Sequence, residues 1–246
     1  MHDALDEVRR DWERLGADDP LWAVLMMPGT RNGGWSLDDF LRTGRLEVDG
    51  ALRHLRTLTR LPRLRRVLDF GAGAGRTTQA LADHADAVVG VDVAGSMLDL
   101  ARRIDRTGGR CEFVHNTRGD LAMFEPASFD LVYSSLVLQH LPPASARRFL
   151  GELVRVLRPG GALVVQVATR PTRSLKGLLF RYAPQPVLRF GQQRLLGYPA
   201  PMRMHGMSAA QVATRIAAYD AEILDRVEDP SYGGHWTYHR YYAVRR

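Results

Sequence analysis

The stretch that decides the fold of this chain is VLDFGAGAGR, Val67–Arg76. It is an apolar run that ends in Asp69 and Phe70 and then breaks into three glycines, each separated from the next by one alanine. A strand that turns tightly into a helix typically has this pattern. Glycines at such a junction let a ligand approach the backbone, and the helix that follows offers free N–H groups and the positive end of its dipole. We therefore expect this turn to hold a ligand.

Short β-branched runs alternate with amphipathic segments around this turn. Strands are predicted at RRVLDF (65–70), AVVGVD (87–92), CEFVH (111–115), FDLVYSS (129–135) and ALVVQVA (162–168). Helices are predicted at RTTQALADHA (76–85), SMLDLARRIDR (96–106), SARRFLGELVRVL (145–157) and SAAQVATRIAAY (208–219). The alternation predicts a parallel sheet, because crossover helices bury both faces of such strands. The runs AEILDRVED (221–229) and HWTYHRYYAVRR (235–246) predict a closing hairpin.

Length and composition predict one compact domain. The chain has 246 residues, of which 45% are hydrophobic, enough for a sizeable core. Residues 1–60 are predicted to form an N-terminal helical cap whose middle, 28–44, is a loop. Residues 61–246 are predicted to form the main domain, which contains a cap insertion at 169–207. A single cysteine, Cys111, excludes a disulfide framework and a multi-cysteine zinc site, so no metal is expected. We expect a soluble, cytoplasmic protein, since no leader or membrane-spanning run is evident.

The formal net charge of +7 alone does not identify a partner. Lys176 is the only lysine among the 34 basic residues, which indicates a codon bias rather than selection for phosphate binding. The insertion is more informative, because residues 167–207 contain six arginines and Lys176 but no Asp or Glu. Three interpretations stay open: a packed cap with solvated arginines, a site for an anionic acceptor, or contact with a membrane surface or RNA.

The glycine spacing argues against a dinucleotide. The fingerprint for NAD is G-x-G-x-x-G/A, whereas Gly71, Gly73 and Gly75 form G-x-G-x-G with an arginine next. A carboxylate at Asp69 would repel a pyrophosphate but would pair with an ammonium group. Asp92 ends the next predicted strand, where an acidic side chain can accept both hydroxyls of a ribose. These features together predict a nucleoside that carries an ammonium group.

Four linked motifs strengthen this interpretation. VLDFGAGAGR (67–76), VVGVDVAGSMLDLAR (88–102), FEPASFDLVYSSLVLQHL (124–141) and LVRVLRPGGALVVQ (153–166) resemble the class I S-adenosylmethionine-dependent methyltransferases in order and spacing. The resemblance covers most of residues 61–246. It implies a Rossmann-like α/β fold with a seven-stranded, mostly parallel sheet whose last strand is antiparallel, helices on both faces and a helical cap. It also implies S-adenosylmethionine as cofactor.

The same resemblance implies individual cofactor contacts. Asp69, Gly71 and Gly73 would meet the methionine end, with Asp69 acting on its amino group directly or through water. Arg76 would face the methionine carboxylate, Asp92 would hold the ribose, and Ser135 would lie beside the methionine part. In NTRGDL (116–121), Asp120 would accept from the adenine amine and Leu121 would offer its backbone N–H, although Asn116 competes for the acidic position. The remaining expected contacts are Val93 and Met97.

Methyl transfer chiefly requires alignment of a nucleophile with the methyl group and exclusion of water. His140, just beyond the fourth predicted strand, is the first candidate for a general base. Weaker candidates are His205, His235 and Tyr232, and His115 is interpreted as structural. The sequence SSLV (134–137) stands where many methyltransferases of amide or base nitrogens carry N/D-P-P-Y/F.

That difference favours the small-molecule branch. We expect transfer to an O or N atom of a small, specialised metabolite by a monomer or homodimer, with an anionic acceptor as one alternative. Nucleic acid is not the expected partner. An RNA methyltransferase and a non-catalytic cofactor-binding protein remain as alternatives.

Overall fold

The computed structural model describes residues 2–230 and 235–246, and within them a seven-stranded sheet with the order β3-β2-β1-β4-β5-β7-β6. The strands are β1 Leu64–Phe70, β2 Ala85–Asp92, β3 Cys111–His115, β4 Phe129–Ser134, β5 Leu157–Pro171, β6 Ala221–Glu228 and β7 Trp236–Arg245. Strands β1 to β5 pair in parallel, whereas β7 is antiparallel to both of its neighbours, β5 and β6. The predicted Rossmann-like sheet with an antiparallel last strand is confirmed, as is the closing hairpin.

Helices cover both faces of this sheet. They are α1 His2–Asp18, α2 Pro20–Val24, α3 Leu37–Leu58, α4 Arg76–Leu81, α5 Gly95–Arg103, α6 Pro143–Arg155, α7 Leu175–Tyr182, α8 Gln185–Phe190 and α9 Ala209–Ala217. A 3₁₀ turn, Leu138–His140, follows β4, and a π-helical turn, Gly191–Leu195, follows α8. The insertion, which contains Pro171, Pro184, Pro186, Pro199 and Pro201, holds only short helices.

Alternation along the strands assigns each side chain to one of two apolar layers. Val67 of β1 and Val164 of β5 lie in one layer with the buried face of α3, while their neighbours Leu68 and Leu163 lie in the other with α6 and α9. All four residues are buried. Side chains of successive strand residues point to opposite faces, so continuous apolar strands supply both layers at once.

The N-terminal region differs from its prediction at one point. The middle segment, expected to be a loop over 28–44, becomes helical at Leu37, where α3 begins. The Ser36 hydroxyl caps this helix by accepting a hydrogen bond from the backbone N–H of Asp39 at 3.1 Å. Helix α3 is built into the core layer that contains Val67, whereas α1 lies near the carboxyl ends of the strands. The division at residue 60 stays a prediction.

None of the helices in the described residues combines the length and the apolar character needed to cross a membrane.

Candidate active site

A cavity opens at the carboxyl ends of β1, β2 and β4. Its floor comes from the glycine turn after β1, from Asp92 at the end of β2 and from the segment after β4. Three apolar side chains of α1 form its opposite wall: Leu5, Val8 and Trp12. Ligands of open α/β sheets bind at this edge of the sheet. Helix α1 therefore forms a lid over the position where a ligand is expected.

Three amides of the glycine turn are engaged by the protein itself. The N–H groups of Gly71 and Ala72 both donate to the carbonyl of Val91, at 2.8 and 3.0 Å, and that of Gly73 donates to the Asp92 carboxylate at 2.8 Å. A phosphate cradle needs free amides aimed at the ligand. These three amides are therefore not available to a phosphate.

Gly71 has a second role in this turn. Its φ is +86°, a left-handed conformation that favours glycine, and a Cβ atom there would lie 2.0 Å from Cγ2 of Val137. The turn after β1 and the segment after β4 are therefore packed directly on one another. This contact fixes the floor of the cavity.

Asp92 connects the turn to the ligand position. One carboxylate oxygen accepts from the N–H of Gly73 and the other from the N–H of Ala94, at 2.8 and 2.9 Å. Burial raises the pKa of Asp92, although these backbone hydrogen bonds oppose the increase. Each oxygen retains a lone pair, and the side chain lines the cavity. Asp92 therefore presents a rigid pair of acceptors to a bound group.

Asp69 lies beneath the cavity wall rather than in it. It is 1% exposed, and one of its oxygens accepts from the hydroxyls of Thr77 and Thr78, at 2.8 and 2.6 Å. Burial raises the pKa of Asp69 to about 6, despite these two hydrogen bonds. Thr77 lines the cavity. The structure thus places the Thr77 side chain between Asp69 and a ligand.

Arg76 lines the cavity but already has a carboxylate partner. Its Nη2 lies 2.7 Å from Oε2 of Glu47, and both side chains are almost wholly buried. Glu47 also accepts from the hydroxyl of Tyr133 at 2.8 Å and from Arg240 at 3.0 Å, and Arg240 reaches Asp229 at 2.7 Å. Helix α3 is therefore tied to α4 and to β7 by a buried ionic network. The expected contact of Arg76 with a cofactor carboxylate stays a prediction.

The loop after β3 differs from its expected arrangement. Asn116, Thr117 and Arg118 line the cavity, whereas Asp120 and Leu121 do not reach it. The Asp120 carboxylate forms an ion pair with Arg148 at 3.2 Å, and the N–H of Leu121 donates to Glu152 at 3.0 Å. Both groups expected to hold adenine are thus occupied by α6.

Ser135 indicates that the cavity is suited to a polar ligand. Among the residues that the structure describes, its Oγ is buried with no hydrogen-bond partner, and the residue lines the cavity. A buried hydroxyl without a partner is costly unless a ligand or water satisfies it. Val93 and Met97 line the same cavity, and their contact with a cofactor stays a prediction. The donors and acceptors present fit a nucleoside joined to an amino acid.

His140 also lines this cavity, and its tautomer is fixed. Its Nδ1 lies 2.8 Å from the backbone oxygen of Arg203, so Nδ1 carries the proton and Nε2 is the basic nitrogen. The side-chain amide nitrogen of Gln139 lies 3.4 Å from Nε2, a long contact that an acceptor can replace. The Trp12 ring packs edge-on against the imidazole, with ring centroids 4.9 Å apart. Burial lowers the pKa of His140 to about 4, so the ring is neutral at neutral pH.

The other candidate bases do not line this cavity. His205 lies beside Gln139 in a separate small cavity, and His115 is an exposed residue whose Nε2 lies 2.9 Å from the carbonyl of Val93. His235 lies next to β7 and outside the cavity lining. Tyr232 lies outside the described residues.

Trp12 and Thr77 are among the cavity residues that were not predicted from the sequence. Trp12 lies on the apolar face of a highly charged helix, and the spacing of Leu5, Val8 and Trp12 was the signal for that face. Thr77 follows the glycine motif directly, but no local pattern separates it from an ordinary helix residue. Within the described residues, no group of three or more His, Cys, Asp or Glu side chains could hold a metal ion.

Comparison with known proteins identifies methyltransferases by sequence and by structure. Residues 68–165 match the sequence profile of the methyltransferase domain family Methyltransf_11. The demethylmenaquinone methyltransferase of Clavibacter sepedonicus is 35% identical over 136 residues, which are 55% of this chain and 49% of that protein. The demethylmenaquinone methyltransferase of Thermus thermophilus is 34% identical over 163 residues, 59% of this chain and 73% of that protein.

A solved structure shows the same fold. The magnesium protoporphyrin IX methyltransferase of Synechocystis PCC 6803, with bound S-adenosylhomocysteine, matches with a TM-score of 0.65 and 22% identity over 97% of this chain and 98% of that chain. The chain spans about half the length of the Clavibacter relative but nearly three quarters of the Thermus relative. Three of the four motifs line one cavity, and a relative 34% identical over 73% of its own length is a methyltransferase. The chain therefore belongs to the class I S-adenosylmethionine-dependent methyltransferases, and the predicted family and cofactor are confirmed.

Proposed function

We propose that this protein transfers the methyl group of S-adenosylmethionine to an oxygen or nitrogen atom of a small-molecule acceptor. The observation that carries the proposal is the cavity itself, which combines the paired acceptor oxygens of Asp92, the unpartnered Ser135 hydroxyl and the neutral imidazole of His140. These three groups face one enclosed space. Binding and reaction are thereby assigned to the same site.

In this proposal, the chain holds the cofactor at both ends. Asp92 would accept both ribose hydroxyls, since two oxygens are fixed by the amides of Gly73 and Ala94. The Thr77 hydroxyl donates to Asp69 at 2.8 Å, so its oxygen would accept a hydrogen bond from the amino group of the cofactor. Asp69 would thus contact the amino group indirectly. Ser135 would satisfy its buried hydroxyl on the methionine part.

The adenine contacts shift along the loop after β3. Asn116 is buried at the end of β3, and its side chain is held by Asp120 O and by the N–H of Arg118, both at 2.9 Å. We place adenine against Asn116, Thr117 and Met97, because these residues line the cavity while Asp120 and Leu121 are paired with α6.

When bound, the cofactor supplies a methyl group attached to a positively charged sulfur. A nucleophile opposite the sulfur takes this methyl group, and the sulfur leaves as a neutral thioether. Nε2 of His140 would accept a hydrogen bond from the acceptor O–H or N–H and orient its lone pair toward that methyl group. A neutral oxygen that gains a methyl group becomes strongly acidic, so even a base with a pKa of about 4 can take its proton. Trp12 and the other α1 side chains would keep water out.

The acceptor is inferred to be apolar over much of its surface. Leu5, Val8, Leu141 and Phe149 line the cavity on the side of α1 and α6. Demethylmenaquinone and magnesium protoporphyrin, the compounds in the relatives' names, are also small molecules rather than nucleic acids. We further propose that the acceptor is a specialised metabolite, because α1 and the insertion, which form the cap, lie outside the segment shared with the domain family.

Mass spectrometry of the reaction products tests this function. The protein is incubated with S-adenosylmethionine carrying a deuterated methyl group and a panel of phenols, hydroquinones and amines. We expect one acceptor class to gain the label and S-adenosylhomocysteine to form in equal amount. The Asp92→Ala variant should lose both products. Cofactor binding without label transfer to any class, including RNA, would favour the non-catalytic alternative.

A further inference from the structure

The insertion carries a row of large apolar side chains on its outer surface. In α7, the exposed residues Leu178, Leu179 and Tyr182 occupy positions i, i+1 and i+4, which lie on one side of a helix. The row continues through Val187 and Phe190 of α8 to the π-helical turn, where Leu195 is 77% exposed. We call the segment 173–196 the docking face. Soluble surfaces rarely leave so many large apolar side chains of one segment uncovered.

The charged side chains that this segment itself contributes have a single sign. No Asp or Glu occurs between residues 167 and 219, although residues 1–60 alone contain many. Arg173 and Arg194 are exposed members of the docking face. Exposed apolar residues interleaved with arginines, without acids, are typical of segments that lie in the interface of an anionic bilayer.

The docking face is held against the body of the protein. Gln192 makes two hydrogen bonds with the backbone of Met202, at 2.9 and 3.1 Å. Arg189 forms an ion pair with Glu7 of α1 at 3.0 Å, and Arg31 donates to the carbonyls of Leu196 and Gly197. These contacts hold the C-terminal part of the docking face, while Phe190 and Leu195 within it stay exposed. The exposure is thus built into the packing.

We propose that the docking face binds the surface of an anionic lipid bilayer. This binding goes beyond the proposed methyl transfer and does not depend on it, whereas entry of an acceptor from the bilayer rests on that function. Leu179, Tyr182, Phe190 and Leu195 would enter the acyl boundary, and Arg173 and Arg194 would meet the lipid phosphates. Since Arg189 ties the face to α1, the lid of the cavity would then lie next to the bilayer, where an apolar acceptor could enter without crossing water.

Co-sedimentation with lipid vesicles tests the proposal. The full chain is mixed with vesicles of phosphatidylglycerol and phosphatidylcholine or of phosphatidylcholine alone, at low and moderate salt. We expect binding to the anionic vesicles, weakened by salt, and at least tenfold weaker binding to the neutral ones. The double variant Leu179→Glu/Phe190→Glu should bind at least tenfold less. Each of Arg173→Gln and Arg194→Gln should weaken binding about fivefold.

Matched controls separate this face from a general surface effect. Met123→Glu places an acid at an exposed apolar residue outside the insertion, and Arg65→Gln removes an exposed arginine from the start of β1. Both should bind vesicles like wild type, and all variants should keep wild-type affinity for S-adenosylhomocysteine. Equal binding to neutral vesicles would contradict the proposal. So would a failure to bind accompanied by sedimentation as a dimer, because a second copy would then cover the face.

Discussion

The guanidinium Nη2 of Arg76 lies 2.7 Å from Oε2 of Glu47, with both side chains at 6% exposure or less. This pair joins the first turn of α4, directly after the glycine motif, to the middle of α3. Removing one member of a buried ionic group leaves the other charge without compensation. The pair therefore connects the stability of the fold with the position of the cavity wall.

The variant Glu47→Ala should accordingly lose about 3–5 kcal/mol of unfolding free energy, because Arg76 and Arg240 would both lose a carboxylate partner. Urea denaturation followed by circular dichroism measures the loss. The control is Glu222→Ala, whose ion pair with Arg246 is exposed at the surface. It should change stability by no more than about 0.5 kcal/mol. Similar losses in both variants would argue against a structural network.

The two threonines on Asp69 offer a matched pair. The hydroxyls of Thr77 and Thr78 donate to the same Asp69 oxygen, but of these two residues only Thr77 lines the cavity. Thr77→Val should weaken S-adenosylhomocysteine binding about tenfold, equivalent to about 1.4 kcal/mol. Thr78→Val should lower stability by about 1–2 kcal/mol but leave the affinity within twofold. Calorimetric titration of both variants checks this, and equal affinities would exclude a role for Asp69 through Thr77.

His140 should make the fold less stable at acidic pH. Its pKa falls from 6.5 to about 4 on folding, so the unfolded chain binds more protons between these values. Stability is then lost as pH falls below about 6.5, by about 2 kcal/mol between pH 7 and 5. Asp69, whose pKa is raised to about 6, acts in the opposite direction over part of this range.

Comparison with the His140→Gln variant isolates the histidine contribution, because Asp69 is present in both proteins. Urea denaturation at pH 7 and pH 5 should show the stability difference between wild type and variant shift by about 2 kcal/mol in favour of the variant at pH 5. If the stability difference between the two proteins does not change with pH, the imidazole is solvated and its pKa is not lowered by folding. Loss of turnover with retained cofactor affinity would support its role toward the acceptor.

A methyl group at Gly71 should disrupt the floor of the cavity. Its Cβ would meet Val137 at 2.0 Å in a left-handed backbone conformation, so Gly71→Ala should cost at least 3 kcal/mol, roughly the sum of strain and overpacking. Gly160→Ala is the control, since Gly160 has φ of +73° but open space around its Cβ position. It should cost only about 1–2 kcal/mol. Thermal melting of both variants measures these losses. Equal melting temperatures would contradict the close contact between Gly71 and Val137.

The sequence predicted the sheet because its signals are local. Runs such as ALVVQVA are apolar on both faces, and a parallel sheet is the structure that buries both. The glycine motif with Asp92 likewise predicted where the cavity forms. The start of α3 was also encoded locally, since Ser36 followed by Leu37, Asp38 and Asp39 is a capping signal that was taken for loop.

The remaining features depend on contacts between distant residues. Glu47 meets Arg240 across 193 positions of the chain, and no local pattern indicates that pairing. Asp120 was expected in the cavity, but Arg148 of α6 holds it elsewhere. Tertiary partners of this kind decide whether a polar side chain faces a ligand or another part of the protein.

The central claim is that this cavity binds S-adenosylmethionine with Asp92 on its ribose, and calorimetric titration with S-adenosylhomocysteine tests it most directly. Asp99→Ala, which alters an exposed aspartate of α5, serves as the control, and melting curves establish that each variant is folded. Folded Asp92→Ala should bind at least tenfold more weakly than wild type, with Asp99→Ala unchanged. Equal affinity of wild type and folded Asp92→Ala would contradict the account.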